Sequence, residues 1–489
     1  MNSEDRIPRY VWRISSVVII GSIMSILDTT IVNVALDTLS RELHSSISQI
    51  QWVVTGYLLS LAAVIPVTGW AARRFGAKRV YLVSLVLFTG GSALCGFATS
   101  TTELIVFRVL QGVGGGMILP IGQLMMAEAA GPKRMGRVMS IVAVPAMLAP
   151  ILGPAIGGLI LDSVSWRWIF YVNVPIGVIA VTAAIRILPN VERAKTDRLD
   201  FAGLGLMAGG LVLLTYGLAE IGTLGTFTAT RVIVPCIVGI ALVCVFVVHA
   251  LRMRTGKPLL DLRLYRRPTF SAASFAMFCL GAALFGSMIL LPYYWQSIRH
   301  ESVLDTGLLT APQGLGMALV MPLAGKLSDR FGGGPLALLG VIVTTVMTIP
   351  FGLIGAHTSI VGLSFAMLVR GAGIGFAFMP AMTAAFASLE HSELSDATPQ
   401  LNVLQRVGGS IGTAVLAVVL QRSLAGTHGI NAMAGAYGTA FWWGAGLTAA
   451  AIIPCIILVR AERAARATTT EPPGGDDVRA EALVEAAAV

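Results

Sequence analysis

Long apolar runs separated by short polar stretches make up most of the chain. A helix that crosses a bilayer needs about 20 mainly apolar residues. Fourteen runs reach that length: 12–36, 50–72, 78–98, 102–127, 138–161, 167–188, 201–221, 231–251, 269–293, 304–327, 335–355, 359–384, 401–422 and 437–459. The pattern predicts an all-α polytopic membrane protein with 14 transmembrane helices. The first run is longer than the ~7–15-residue apolar region of a signal peptide and lacks a small-residue cleavage site, so it is expected to remain as the first span.

Composition agrees. The 489 residues are 55% hydrophobic and 12% charged, with a mean hydropathy of +0.80, whereas soluble domains carry about 25% charged residues. The net charge of +9 would suggest nucleic acid in a soluble domain. Here the basic residues sit in short loops, where they set topology, and no nucleic-acid partner is implied. With a cytoplasmic N-terminus, the inner loops and tails hold about 26 of the 34 Lys and Arg residues. The outer loops hold Arg41, Arg167, Arg231, Arg299 and Arg422, and Arg108, Arg370 and Arg406 remain inside runs. This asymmetry predicts that both termini are cytoplasmic.

An internal repeat divides the chain. Gly69-Trp-Ala-Ala-Arg73-Arg74-Phe-Gly76 follows the second run, and Gly325-Lys-Leu-Ser-Asp329-Arg330-Phe-Gly332 follows the tenth. Gly153-Pro-Ala-Ile-Gly157 matches Gly408-Gly-Ser-Ile-Gly412 in the same way. The offsets span eight runs, so the expected organisation is two six-helix bundles with a pair of helices inserted between them. The corresponding units are 1–190, 191–262 for the inserted pair with its charged linkers, 263–460, and a disordered cytoplasmic tail at 461–489. Parallel halves related about the membrane normal are a transporter architecture.

Enzymatic chemistry finds no support. No GxxxxGK[ST] or HExxH motif is present. Gly408-Gly-Ser-Ile-Gly412 fits G-x-S-x-G, but it lies within a predicted membrane helix rather than on a strand-to-helix turn. The five cysteines form no metal-type spacing and read as packing residues. No cofactor or metal is expected.

The polar residues inside the runs remain. An ionised side chain at the centre of a membrane helix costs about 2.5–3.5 kcal/mol on insertion scales and usually faces a cavity or a partner. Asp28 and Arg108 lie at depths that differ by only about 5 Å, so they can meet across one cavity. A carboxylate beside a guanidinium, in a place where water access changes, can load and release a proton. The plainer alternative is a static pair that fixes packing. Asn33, Gln111, Arg370 and Arg406 are further candidates for a substrate cavity. Tyr293 and Trp295 either stack on an aromatic substrate or form part of the interfacial belt. Gly112-Val-Gly-Gly-Gly116 and Gly153-Pro154-Ala-Ile-Gly157-Gly158 are small-residue patterns that allow close helix approach, and Pro154 adds a bend. The repeated loops (Gly69, Arg73, Arg74 and Gly76; Gly325, Asp329, Arg330 and Gly332) suggest that each half uses the same cytoplasmic latch.

With these residues in view the chain resembles the fourteen-helix drug:proton antiporters of the major facilitator superfamily, EmrB/QacA type, and more closely the EmrB branch. Leu27-Asp-Thr-Thr-Ile-Val-Asn-Val-Ala-Leu36 is similar to the family's first-helix signature, and Gln51-Trp-Val-Val-Thr-Gly-Tyr57 to its second-helix entry. Arg108-Val-Leu-Gln-Gly112 resembles motif B and Gly153–Gly158 motif C. Trp166-Arg-Trp-Ile-Phe-Tyr-Val-Asn-Val-Pro175 and Gln400–Gly409 match further blocks. The resemblance implies a major facilitator fold, proton coupling through Asp28 and Arg108, and motif C (Gly153, Pro154, Gly157, Gly158) at the domain interface. Arg73 departs from the family's loop motif, which has aspartate there, while Asp329 keeps it, so the resemblance implies a latch built on that carboxylate for the second half and not for the first. Asp37 stands where the first-helix signature commonly has proline.

The expected function is proton-coupled export of amphipathic drugs or toxic small molecules by alternating access, from a bacterial inner (cell) membrane. The alternatives are a dedicated exporter of one endogenous metabolite (antibiotic, siderophore or lipid) and a non-transporting receptor or scaffold. Expected partners are the small-molecule substrate, protons and lipid, with the protein a monomer and no membrane-fusion adaptor indicated. With Asp28 the sole clear acid and two arginines in the later runs, neutral or weakly acidic cargo is expected over dications.

Overall fold

A computed structural model of the chain describes residues 7–131, 134–140, 153, 156–161, 163–189, 198–253 and 257–470. The described residues are helical or loop, with no strand among them. In lipid each backbone polar group must find its partner within the segment, which selects helices for these uninterrupted apolar runs.

Thirteen helices among the described residues are long and apolar enough to cross a membrane. They are α1 (Arg9–Val34), α2 (Ser48–Phe75), α3 (Ala77–Phe97), α4 (Thr101–Ala130), α5 (Trp168–Ile187), α6 (Phe201–Gly222), α7 (Thr230–Arg252), α8 (Pro268–Ile298), α9 (Asp305–Phe331), α10 (Gly333–Gly352), α11 (Ile360–Ala387), α12 (His391–Leu424) and α13 (Ile430–Ala465). Each coincides with one of the fourteen runs. The remaining run, 138–161, lies largely outside the described residues. Serine or aspartate side chains accept a backbone N–H at the starts of several helices, among them Ser46, Ser100, Asp200, Ser302 and Ser359. These caps satisfy donors that the helix leaves orphaned.

Two differences from the sequence reading have local causes. The last helical segment continues to Thr470, ten residues into the expected disordered tail, and residues 471–489 lie outside the described residues. Glu462 helps to hold this extension: its carboxylate accepts from the backbone N–H groups of Gly333 (3.0 Å) and Gly334 (2.8 Å) at the start of α10. Asp37 falls in the first turn of a short helix, Leu36–Glu42, where a negative charge suits the helix dipole.

Helices α1–α5 pack on one another, and α8–α13 form a second group. Gly76 and Gly332 end α2 and α9 at φ 87° and 94°, a backbone region that favours glycine. The same tight turn thus closes the same helix pair in each half. Glycine also sets the helix contacts. A Cβ at Gly114 would lie 2.6 Å from the Phe88 backbone nitrogen on α3, and one at Gly116 would lie 2.8 Å from the Leu61 carbonyl oxygen on α2. Gly408 and Gly412 press in the same way against the Phe278 and Ala282 carbonyls of α8. The G-x-S-x-G match is therefore a helix-packing surface within α12. The inserted pair packs as a hairpin, with α6 against both α2 and α12. Trp52 of α2 stacks on Tyr216 of α6 at 5.7 Å, and Ile221 and Val232 join Ala414 and Val418 of α12 in an apolar cluster.

Adjacent glycines give a test of this packing. A Cβ at Gly90 would meet nothing within 4 Å, whereas one at Gly91 would lie 2.8 Å from the Gln111 Cα. Gly90→Ala should leave the thermal midpoint of the purified protein unchanged or raised, since alanine favours the helix. Gly91→Ala should lower stability by about 1–3 kcal/mol, the cost of overpacking.

Candidate functional site

The polar residues of the first half converge on Asp28. Asp28 lies six residues before the end of α1 and Arg108 seven residues after the start of α4. At 1.5 Å per residue both lie about 9–10 Å below the same end of the bundle. They meet: Arg108 NH1 donates to Asp28 Oδ2 at 2.6 Å, and both side chains are fully buried. Arg108 and Gln111 are three residues apart and so share one face of α4. Gln111 Nε2 donates to Asp28 Oδ1 at 2.9 Å, while its Oε1 accepts from Arg108 NH1 at 2.8 Å. Arg108 Nε donates to the Val53 carbonyl at 3.2 Å, and its guanidinium lies 4.1 Å from the centroid of the Tyr57 ring.

Two further groups complete the site. Asn173, near the start of α5, donates through Nδ2 to Asp28 Oδ1 at 2.9 Å and to Ser92 Oγ at 3.0 Å. Ser92 in turn donates to the Phe170 carbonyl at 2.9 Å. Among the described residues three donors and no acceptor thus bond Asp28, an arrangement suited to the carboxylate form. All five helices α1–α5 contribute an atom to the cluster.

Among the described residues, the second half keeps the cation without an acid. Arg370 of α11 is buried, and it donates to Thr348 Oγ1 (3.1 Å), Gln313 Oε1 (2.5 Å) and Ser287 Oγ (2.5 Å) from α10, α9 and α8. Where α1 offers Asp28 to Arg108, α8 offers a serine hydroxyl to Arg370.

The six residues expected to share a substrate cavity are dispersed. Gln111 belongs to the Asp28 cluster, and Arg370 is enclosed by the second bundle. Trp295 is fully buried in an apolar core with Tyr294 and Phe351, whereas Tyr293 is exposed. Asn33 is exposed near the end of α1. Arg406, half-buried on α12, makes no hydrogen bond or ion pair among the described residues and lies within electrostatic reach of Tyr57 on α2. Depth in the sequence groups these residues, but it does not fix the direction a helical side chain points. Motif C likewise packs within its own half. A Cβ at Gly153 would strike Thr30, and one at Gly157 would lie 3.3 Å from Ile31, both on α1. A Cβ at Gly158 would meet nothing within 4 Å, and Pro154 lies outside the described residues.

The repeated loops meet the opposite half, with inverted chemistry. Asp329 Oδ1 accepts from the Gly136 backbone N–H at 3.0 Å, just before the fifth run. On the other side Arg73 pairs with Asp396 in the first turns of α12 and donates to Ser395 Oγ at 3.0 Å. Gly69 lies so close to the Ser395 carbonyl that a Cβ would clash. Asn402 adds a contact one or two turns on, donating to Gln123 Oε1 of α4 at 2.7 Å. Arg74 and Arg330 are exposed, and Arg330 lies over the Phe331 ring at 5.1 Å.

Asn173, Ser92 and Tyr57 do not stand out as site residues in the sequence. Tyr57 and Asn173 close or near-close two of the quoted blocks, and an amide in the apolar stretch around Asn173 is the available signal.

The Major Facilitator Superfamily profile matches residues 18–413. The Multidrug resistance protein B homolog of Mycobacterium tuberculosis is 39% identical over 418 residues, covering 85% of this chain and 77% of that protein. The Multidrug export protein EmrB of Escherichia coli is 30% identical over 402 residues, covering 81% and 77%. Among solved structures, the human organic anion transporter MFSD10 aligns with a TM-score of 0.65 at 15% identity, covering 92% of this chain and 100% of that one. The proton:xylose symporter XylE aligns with a TM-score of 0.61 at 15% identity, covering 91% and 96%.

The energetics of the buried pair predict a non-additive mutant cycle. Removing one partner strands a buried charge and should cost about 3–5 kcal/mol, whereas removing both relieves that penalty. Thermal or denaturant unfolding should therefore show Asp28→Ala/Arg108→Ala to be more stable than either single variant.

Proposed function

The chain belongs to the Major Facilitator Superfamily, and on that premise we propose that it is a proton-coupled exporter of amphipathic drugs or toxic small molecules. As a member of that family, akin to its drug:proton antiporters and closer to the EmrB type, it is a multi-pass inner-membrane transporter. The names of its relatives, a multidrug resistance protein B homolog and a multidrug export protein, support drugs as cargo.

One observation carries the proton reading. Asp28 is a carboxylate buried deep in a spanning segment, and it is held by donors from three sides. Such a group is costly in the membrane and is retained where it serves an ion pathway or proton relay. Protonation removes the charge that Arg108 holds. Among the described residues the guanidinium then keeps Val53, Gln111 and the Tyr57 and Phe170 rings as partners, so the contact between α1 and α4 changes with the proton. In the second half Arg370 has no carboxylate beside it among the described residues, so in this scheme that site holds a fixed charge and takes no proton. Cargo and proton then alternate through the rearrangement of the two halves, α1–α5 with the fifth run and α8–α13, flanked by the inserted hairpin.

The contacts at the basic end of the bundle, which we assign to the cytoplasm, act as the gate in this scheme. The pairs Arg73–Asp396 and Asp329–Gly136 tie the two halves together there, and both must part for cargo to enter from that side. Arg73 thus takes up the latching role with opposite polarity: its carboxylate partner stands on the facing half.

Two experiments test these assignments. In a pump-deficient host, the protein should lower accumulation of hydrophobic drugs in a susceptibility and efflux screen, and a protonophore should abolish the effect. Asp28→Asn should insert normally yet lose proton-driven efflux; wild-type efflux from that variant excludes Asp28 from the mechanism. At the gate, Arg73→Asp should reduce efflux at least several-fold, and Arg73→Asp/Asp396→Arg should restore most of it. An exchange that restores nothing shows that the pair does not act as a latch.

A further inference from the structure

Asn173 differs from the other donors around Asp28 in one respect. Gln111 is locked, because its Oε1 accepts from Arg108 while its Nε2 donates to Asp28. Arg108 has only donors. Asn173 is fully buried, and its Nδ2 serves both Asp28 and Ser92, yet its Oδ1 has no hydrogen-bond partner among the described residues. The donor end faces Asp28 because a carboxylate only accepts.

A protonated Asp28 reverses that requirement, since its O–H needs an acceptor. The titratable and charged groups that face it are Arg108 from α4, Tyr57 from α2 and Cys95 from α3. Tyr57 turns its hydroxyl toward Ser25 Oγ at 3.4 Å, and the Cys95 Sγ is directed at Gln111 Oε1. The unpartnered carbonyl oxygen of Asn173 is the free acceptor on a side chain already in contact with Asp28.

We propose that the Asn173 side-chain amide is the switch that reads the protonation state of Asp28. With the carboxylate, Nδ2 donates to Asp28 and bridges α1 to α3 through Ser92. When Asp28 takes a proton, the amide turns by half a rotation, and Oδ1 accepts the new O–H. No covalent bond to Asn173 forms or breaks; only the carboxyl oxygen gains the proton. Ser92 can follow, because a hydroxyl both donates and accepts; its O–H leaves the Phe170 carbonyl for Asn173 Oδ1. The bridge Asp28–Asn173–Ser92 is then rebuilt with reversed polarity, which passes the proton's arrival to α3 and α5 as well as to α4. The inference rests on Asp28 being the proton carrier and deepens that reading. Asn173 is a positioning residue here, since it meets the proton only through Asp28.

Infrared difference spectroscopy on the full-length protein in proteoliposomes, titrated across pH, tests both levels. The Asp28 acid band is identified by its loss in Asp28→Asn. With 13C-labelled asparagine, an isotope-shifted side-chain carbonyl band should change with the same midpoint as the acid band. That band should be absent from Asn173→Leu. In Ser92→Ala, which keeps both reporting groups, the shared midpoint should move while the two bands stay together. An acid band that titrates with no accompanying asparagine band overturns the switch and leaves the proton reading standing. So does an asparagine band that persists in Asn173→Leu or separates from the acid band in Ser92→Ala. The absence of any band sensitive to Asp28→Asn overturns both.

Discussion

A carboxylate and a guanidinium, 2.6 Å apart and shielded from solvent, set the terms for the first half of this molecule. Each ion alone would carry a desolvation penalty of several kcal/mol. The surrounding helices are placed to offset it. Gln111 and Asn173 both donate to Oδ1 of the carboxylate, Val53 takes the guanidinium's Nε–H, and Tyr57 covers its face, while the Arg108 NH2 has no hydrogen-bond partner among the described residues. The glycine face of α4 serves the same end: Gly112, Gly114 and Gly116 let α2 and α3 approach closely enough to present those groups. Packing and chemistry are therefore one arrangement, and a change in Asp28's charge disturbs contacts on every neighbouring helix.

The second half shows what that scaffold does without the acid. Arg370 is held by neutral oxygens from three helices and has no carboxylate partner among the described residues. The two bundles share helix order and turn geometry, down to Gly76 and Gly332, yet differ in the residue facing the arginine. At the basic end each latch sets an aspartate of the second half against the first: Asp329 accepts from the Gly136 N–H beside Arg137, and Asp396 pairs with Arg73. In our account the repeat supplies two parts that move as equals, and its charge differences give them unequal tasks.

Much of this is legible in the sequence because lipid imposes a simple code. Runs of apolar residues locate the spans, and thirteen of the fourteen predicted ones correspond to helices among the described residues. The shared depth of Asp28 and Arg108 follows from the sequence, since rise per residue is fixed, and the packing of α1 on α4 turns the two side chains toward each other. Direction around a helix axis is less constrained. Trp295 and Tyr293 are two residues apart, and one is core while the other is exposed; depth does not distinguish them. Asn173 and Ser92 escape notice because a neutral side chain in an apolar run carries little signal until its partner is seen. Asp396 escapes for a different reason. It lies near the start of a long run, and only the tertiary approach of α12 to the loop at Gly69 gives it Arg73.

The central claim is that Asp28 carries the proton that cargo exchanges against. Its most direct test is proton release on cargo binding. Purified protein in weakly buffered detergent solution with a pH-sensitive dye would be mixed with a compound that it exports. The account predicts release of about one proton per protein from the wild type and none from Asp28→Asn. Equal release from both proteins, or none from the wild type, would contradict it.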